Sequence, residues 1–197
     1  MRALANRTAP SLDGGPDFAE VAVKFADFAD EASTLRKMVN RYTGDLALKE
    51  FTLGIIHDAG ARSRAELDQA LAIGEWAQKN IFYVHEGRET FQRPATTLRL
   101  RAGDCDDFAL LICSMLGTVG IKEKLCILKI GKGPAGPLAP PMRWAHIFPV
   151  AVCIQDGAPH RLTLDATLEE SDHPIREMAN PIALVRARGD RCEPLFV

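Results

Sequence analysis

Gly103-Asp104-Cys105-Asp106-Asp107 opens a nearly continuous apolar run, Phe108 to Leu116, broken only by Ser114. Asp104 has the side chain to cap a helix beginning at Cys105, and Gly103 supplies permissive backbone before it. Apolar residues encircle that helix, so it is expected to be buried in the middle of the domain with Cys105 at its N-terminal tip. Unpaired N–H groups and the positive end of the helix dipole favour a thiolate there, and the first amides can receive an oxyanion. A nucleophilic thiol also needs a base and a group to orient the base. His146 lies in Trp144-Ala145-His146-Ile147-Phe148-Pro149-Val150, at the start of an apolar strand. Asp165 follows Leu162-Thr163-Leu164, at the end of the next strand. Antiparallel strands joined by a tight turn place the start of one beside the end of the other. His146 and Asp165 are therefore expected to meet, giving Cys105, His146 and Asp165 the order nucleophile, base, orienter. Trp144 is placed to shield that pair from water, to line a substrate groove, or to pack in the core.

Charge works against this arrangement. Asp104, Asp106 and Asp107 surround the thiol, and like charges raise a thiol's pKa. Arg99, Arg101 or a bound cation would have to offset them, and a carboxylate cluster suits calcium. The other thiols carry no comparable signal: Cys113, Cys126 and Cys153 fall on apolar faces and read as core residues, and Cys192 as a tail thiol. Five cysteines with no CxxC pair speak against a disulfide framework and a zinc ribbon, and a zinc site on the candidate triad lacks a fourth ligand.

The elements that must position these residues belong to an ordinary globular chain of 197 residues, 47% hydrophobic. With 24 Lys+Arg against 26 Asp+Glu, the net charge of −2 removes the case for nucleic-acid binding. No apolar stretch approaches the ~18 residues of a membrane helix and no signal peptide is legible, so no membrane insertion is expected. The location expected is the cytoplasm, or a virion into which the chain is incorporated. Residues 1–17 read as a flexible arm. From Phe18 a 3.6-residue period predicts a long helix to Arg41 with Asp17 as N-cap, then helices over Leu46–His57 and Ser63–Ile81, the last opened by a Ser63-x-x-Glu66 capping box. Strands are predicted over Leu125–Ile130, Ala145–Ile154 and Arg161–Leu164, with Gly157 in the turn between the last two. Gly131 to Arg143, rich in Gly and Pro, is a loop under which substrate could enter. The last residues read as irregular with one short helix, and Arg186, Arg188 and Arg191 as a solvated face. The division expected is a helical extension over 18–62, a core over 63–170 and a C-terminal segment over 171–197 packed on the core or on a partner.

Gly103-Asp104-Cys105, Ala145-His146 and Leu164-Asp165-Ala166 together resemble the transglutaminase-like superfamily, relatives of papain-type cysteine peptidases. Ile73 to Tyr83 is similar to that family's helix leading to the nucleophile. Cys105-Asp106-Asp107 looks closer to the bacterial transglutaminase-like cysteine proteinases than to the eukaryotic cross-linking enzymes. The resemblance covers about residues 65 to 170. It implies an α+β, papain/transglutaminase-like core: a buried central helix starting at the cysteine, packed on a small antiparallel sheet, here with extra N-terminal helices. It implies acyl transfer on a protein or peptide substrate through Cys105, His146 and Asp165, with Gln92 as a side-chain oxyanion donor and Asp106 and Trp144 near the substrate. Some bacterial relatives depend on calcium, which makes Asp104, Asp106 and Asp107 candidate ligands. The acyl acceptor, water or an amine, stays open. The reading from another class is a structural or assembly protein that keeps this fold, such as a phage particle component, with its termini contacting phage or bacterial partners.

Overall fold

The computed structural model describes residues 21–22, 28–63, 65–85, 90–167, 174–175 and 181–197. In chain order the elements are β1 (Val21–Ala22), α1 (Phe28–Tyr42), α2 (Leu46–Asp58), α3 (Glu66–Asn80), β2 (Phe82–Tyr83), β3 (Thr90–Phe91), α4 (Pro94–Leu100), β4 (Ala102–Gly103), α5 (Cys105–Thr118), β5 (Lys122–Gly131), β6 (Arg143–Gln155), β7 (Ala158–Thr163), α6 (Pro181–Ala187) and β8 (Arg191–Phe196).

The apolar period read from Phe18 overstates the first helix. Val21–Ala22 is a strand, antiparallel to Thr90–Phe91 with Val21 opposite Phe91, and the helix begins at Phe28. The buried stripe that holds α1 is Ala32, Leu35 and Val39, packed with Ala109, Leu110 and Cys113 of α5. The expected arm over residues 1–17 and its Asp17 cap lie outside the described residues. Helix α2 starts where read, because the Asp45 carboxylate accepts the Leu48 N–H at 2.9 Å and supplies one of the acceptors a helix start requires. The Ser63 capping box does not form. Helix α3 starts at Glu66, whose Oε2 instead accepts the Ile154 N–H at 2.7 Å and ties the helix to β6.

Helix α5 is the centre of the molecule. Phe108, Leu111, Ile112, Met115 and Leu116 pack with α2, α3 and the far half of β6, while Ala109, Leu110 and Cys113 pack with α1 and the near halves of β5 and β6. The sheet runs β7-β6-β5-β8, with every neighbouring pair antiparallel. Both of its faces are covered, which explains the apolar runs where simple alternation would leave polar residues. Leu125, Ile127 and Ile147 face the helices, whereas Cys126, Leu128, Phe148 and Val150 meet Ile182 and Val185 of α6 on the other side. Asp156 and Gly157, with φ of 51° and 79°, form the two-residue turn between β6 and β7.

Strand β8 was hidden by Pro194, which stands opposite Leu128 on an edge strand, where a missing N–H costs least. Cys192 lies on this strand and is buried with Cys126 rather than in a loose tail. The start of β8 also braces the Gly/Pro loop. Asp190 takes Lys132 Nζ at 2.7 Å and the Gly133 N–H at 3.0 Å, and the Arg191 guanidinium donates to the carbonyls of Gly133 and Pro140. Arg191 is thus a structural tie and not part of a solvated face. Among the described residues no helix is long and apolar enough to cross a membrane.

Candidate active site

The tip of α5 is built as a reciprocal cap. Asp104, in extended backbone, receives the N–H of Asp107, and the Asp107 carboxylate receives the N–H of Asp104 at 3.3 Å. The other Asp107 oxygen accepts the Gln92 N–H at 2.7 Å, which fastens the end of β3 to the helix start. Gly103 is required here for space. Its φ is not in the left-handed region, but a Cβ would lie 2.7 Å from Asp107 Cβ and 2.9 Å from its Oδ2.

The hairpin brings His146 and Asp165 together, with His146 Nε2 2.6 Å from Asp165 Oδ2. Asp165 is buried, and its second oxygen accepts the Thr167 hydroxyl at 2.7 Å, so both oxygens are spoken for. With Nε2 occupied by the carboxylate, Nδ1 is the ring nitrogen left to exchange a proton. Cys105 reaches the same strand: the backbone N–H of Ile147, the residue after His146, lies close enough to the sulfur to lower its pKa. The ladder slips between Leu128 and Lys129, so that Leu128 faces His146 and Lys129 faces Trp144, leaving Ala145 as the extra residue. Such a bulge re-aims the side chains beside it. Trp144 is 39% exposed with the Lys129 ammonium 5.6 Å from its ring centroid, which removes it from the core.

The electrostatics oppose a resting thiolate. Burial, then Asp106 and Asp104, push the Cys105 thiol up to about 12, with Asp165 adding to the rise; the Ile147 N–H pulls the other way. Desolvation and like charge outweigh the helix dipole that the sequence pattern emphasises. Oxygens of Asp104, Asp106 and Asp107 do lie within 4.8 Å of one another. Both oxygens of Asp107 are engaged by backbone N–H groups, however, which leaves two carboxylates against the six to eight oxygens typical of calcium. The cluster fits the helix cap better than the ion.

Two residues beside the site are given no role by their type or spacing, although Tyr83 closes the Ile73 to Tyr83 stretch noted above. Thr167 holds Asp165 in a local turn, legible only as the short-range pattern Asp-x-Thr. Tyr83 arrives through a two-residue parallel pairing, β2 with β4, that sets it opposite Gly103. Pairing so short leaves no periodic trace.

These features define a mixed helix-and-sheet fold with a cysteine at the tip of the central helix and a histidine-carboxylate pair on the adjoining sheet. Residues 56–134 match the model of the transglutaminase-like superfamily, so the resemblance carried by Gly103-Asp104-Cys105 holds over the segment that contains them. His146 and Asp165 fall beyond the matched segment. A crystal structure of a candidate protease from Parabacteroides distasonis aligns at TM-score 0.54 and 15% identity, over 93% of this chain and 35% of that one. A candidate cysteine protease from Cytophaga hutchinsonii aligns at TM-score 0.46 and 19% identity, over 83% of this chain and 53% of that one. This chain thus spans about a third and about half of their lengths. Among curated proteins none matches.

Proposed function

We propose that the chain is a cysteine peptidase in which Cys105 is the nucleophile, His146 the general base and acid, and Asp165 the group that orients the histidine. The observation that carries this reading is the 2.6 Å His146–Asp165 pair on the strand whose Ile147 amide also meets the Cys105 sulfur. The fold shared with the candidate protease from Parabacteroides distasonis supports peptide as the substrate class.

Because the thiol rests protonated, attack and deprotonation are coupled. His146 takes the thiol proton as the sulfur adds to the peptide carbonyl, in place of a thiolate–imidazolium pair formed in advance. The carbonyl π electrons move to oxygen, to which the Cys105 N–H and the Gln92 side-chain amide donate hydrogen bonds. Collapse re-forms the carbonyl and breaks the C–N bond, with the His146 proton going to the leaving amine. Water then adds to the thioester, His146 accepts its proton, and the thiol is regenerated as the acid is released. An amine in place of water would give a cross-link by the same steps.

The test is digestion of fluorescently labelled casein, followed alongside iodoacetamide labelling mapped by peptide. The parent chain is expected to cut casein, Cys105→Ser to abolish cutting, and His146→Ala to slow it about 10²- to 10⁴-fold. EGTA is expected to leave the rate unchanged. Intact casein, together with Cys105 labelling that His146→Ala does not slow, would overturn the reading in favour of a structural protein that keeps the fold.

A further inference from the structure

We infer that the sheet face opposite α5, where it runs out beyond α6, docks an acidic segment of a partner protein through Lys122, Lys124 and Arg161. Neither the surface nor its partner depends on Cys105 being a nucleophile. Strand register assembles the surface. Lys122 stands opposite Val152 and Val152 opposite Arg161, Lys124 opposite Val150, and Cys126 opposite Phe196. Directly opposed residues of an antiparallel ladder share a face, so these all lie with Cys126 and Val150 on the side that α6 covers with Ile182 and Val185. Toward the β6–β7 turn that cover ends. Lys122, Lys124, Ile154, Pro159, Arg161 and Phe196 are exposed there, Ile154 by 53% and Phe196 by 38%.

Two features of this surface call for an anion. The Arg161 guanidinium lies over the Phe196 ring, 5.7 Å from its centroid, so the side chain reaches from one edge strand, β7, across β6 and β5 to the other, β8. Stacking orders the guanidinium plane and leaves its N–H fork open to an acceptor. Second, the cations gathered here are uncompensated. Among the described residues no hydrogen bond or ion pair engages Lys122, Lys124 or Arg161, and no position on this face of β5 to β8 holds Asp or Glu. Elsewhere in the fold cations are paired, Arg36 with Glu123 and Lys132 with Asp190. Spacing then selects the partner. Lys122 and Lys124 are two residues apart on one strand, about 6.6–6.8 Å, which is also the spacing of alternate side chains on an extended partner. Carboxylates at alternate positions meet both lysines or the Arg161 fork, and an apolar side chain at the next alternate position covers Ile154 and Pro159. A phosphate chain fits less well, because three cations are few against the about 6–10 phosphate contacts of a nucleic-acid site and Ile154 would stay bare.

The experiment follows the fluorescence anisotropy of a labelled peptide, Glu-Thr-Glu-Thr-Val-Thr, with the full chain. The parent chain is expected to bind it, and the same peptide with Gln for each Glu about tenfold more weakly. Arg161→Gln is expected to weaken binding about tenfold, and Lys122→Glu combined with Lys124→Glu to abolish it. Phe196→Leu, which keeps an apolar side chain but removes the ring beneath the guanidinium, is expected to cost a few-fold. Lys49→Glu, at an exposed position on α2, is expected to change nothing. All of these positions are exposed, and unchanged Cys105 alkylation by iodoacetamide in each variant shows that the fold and the thiol site are intact, so a failure here is read separately from a failure of the nucleophile assignment. Three results overturn the docking surface: no binding by the parent chain, an affinity that the double lysine variant leaves unchanged, or tighter binding of a twelve-base single-stranded oligonucleotide or of phosphatidylserine vesicles than of the peptide.

Discussion

The thiol at the helix tip is set by a contest between burial, carboxylates and amides, and the carboxylates can be removed one at a time. Asp106 is the largest charged contributor to the elevation of Cys105 and has no part in the reciprocal cap made by Asp104 and Asp107. Asp106→Asn is therefore expected to move half-maximal alkylation of Cys105 down from about 12, by ~1 pH unit, while the helix stays formed. The measurement is the iodoacetamide rate across pH; a profile that stays in place would show that burial alone holds the thiol protonated. At this scale the sequence was partly legible. Cys105, His146 and Asp165 stood out because residue type and chain order suffice to suggest them. Tyr83 and Thr167 did not, since their relevance comes from a two-residue pairing and a single turn. The balance of charge against dipole could be posed from the three aspartates but not decided, because burial sets the dielectric in which they act.

At the scale of elements, Gly103 shows how a correct reading can rest on the wrong cause. The pattern suggested a backbone freedom, yet the structure needs the absence of a side chain so that the Asp107 carboxylate can span Gln92 and Asp104. Gly103→Ala is expected to displace that carboxylate and destabilise the fold by about 1–3 kcal/mol, the usual cost of overpacking, as read from urea denaturation. An alanine tolerated within about 0.5 kcal/mol would contradict the cap as described. Helices α2 and α3, the C-terminal part of α1 and the β6–β7 hairpin were legible from residue pattern and turn chemistry. Strand β1 was not, because Val21 fits an apolar helix period as well as it fits a strand opposite Phe91. Strand β8 was missed because Pro194 reads as a breaker, whereas it occupies a sheet edge, and helix α4, opened by Pro94, is too short at 7 residues to show a period.

For the whole molecule, the buried thiols make a collective prediction. Burial pushes Cys126 up to about 12 and Cys153 to about 11, and raises Cys113 well above its ordinary value, alongside Cys105. A thiol whose folded pKa exceeds its unfolded value keeps its proton in the native state after the unfolded chain has released it. Stability from these groups is therefore fully present below the unfolded thiol pKa, near 9.0, and is lost as pH rises toward 12. The urea midpoint at pH 10.5 is expected to lie below that at pH 8, and an equal or higher midpoint would mean that the thiols are solvated.

The β6–β7 hairpin has a further consequence in time. His146 and Asp165 are 19 residues apart on one two-residue turn, whereas the thiol belongs to a helix that precedes both strands. Short-range pairs close quickly and long-range ones late, so base and orienter can meet within their own hairpin before α5 docks against it. During synthesis the cysteine leaves the ribosome first and must wait, protonated, for a partner that has yet to be translated. On the proposed peptidase reading, a nascent chain is thus kept from cutting itself or its neighbours until the sheet has closed over the helix.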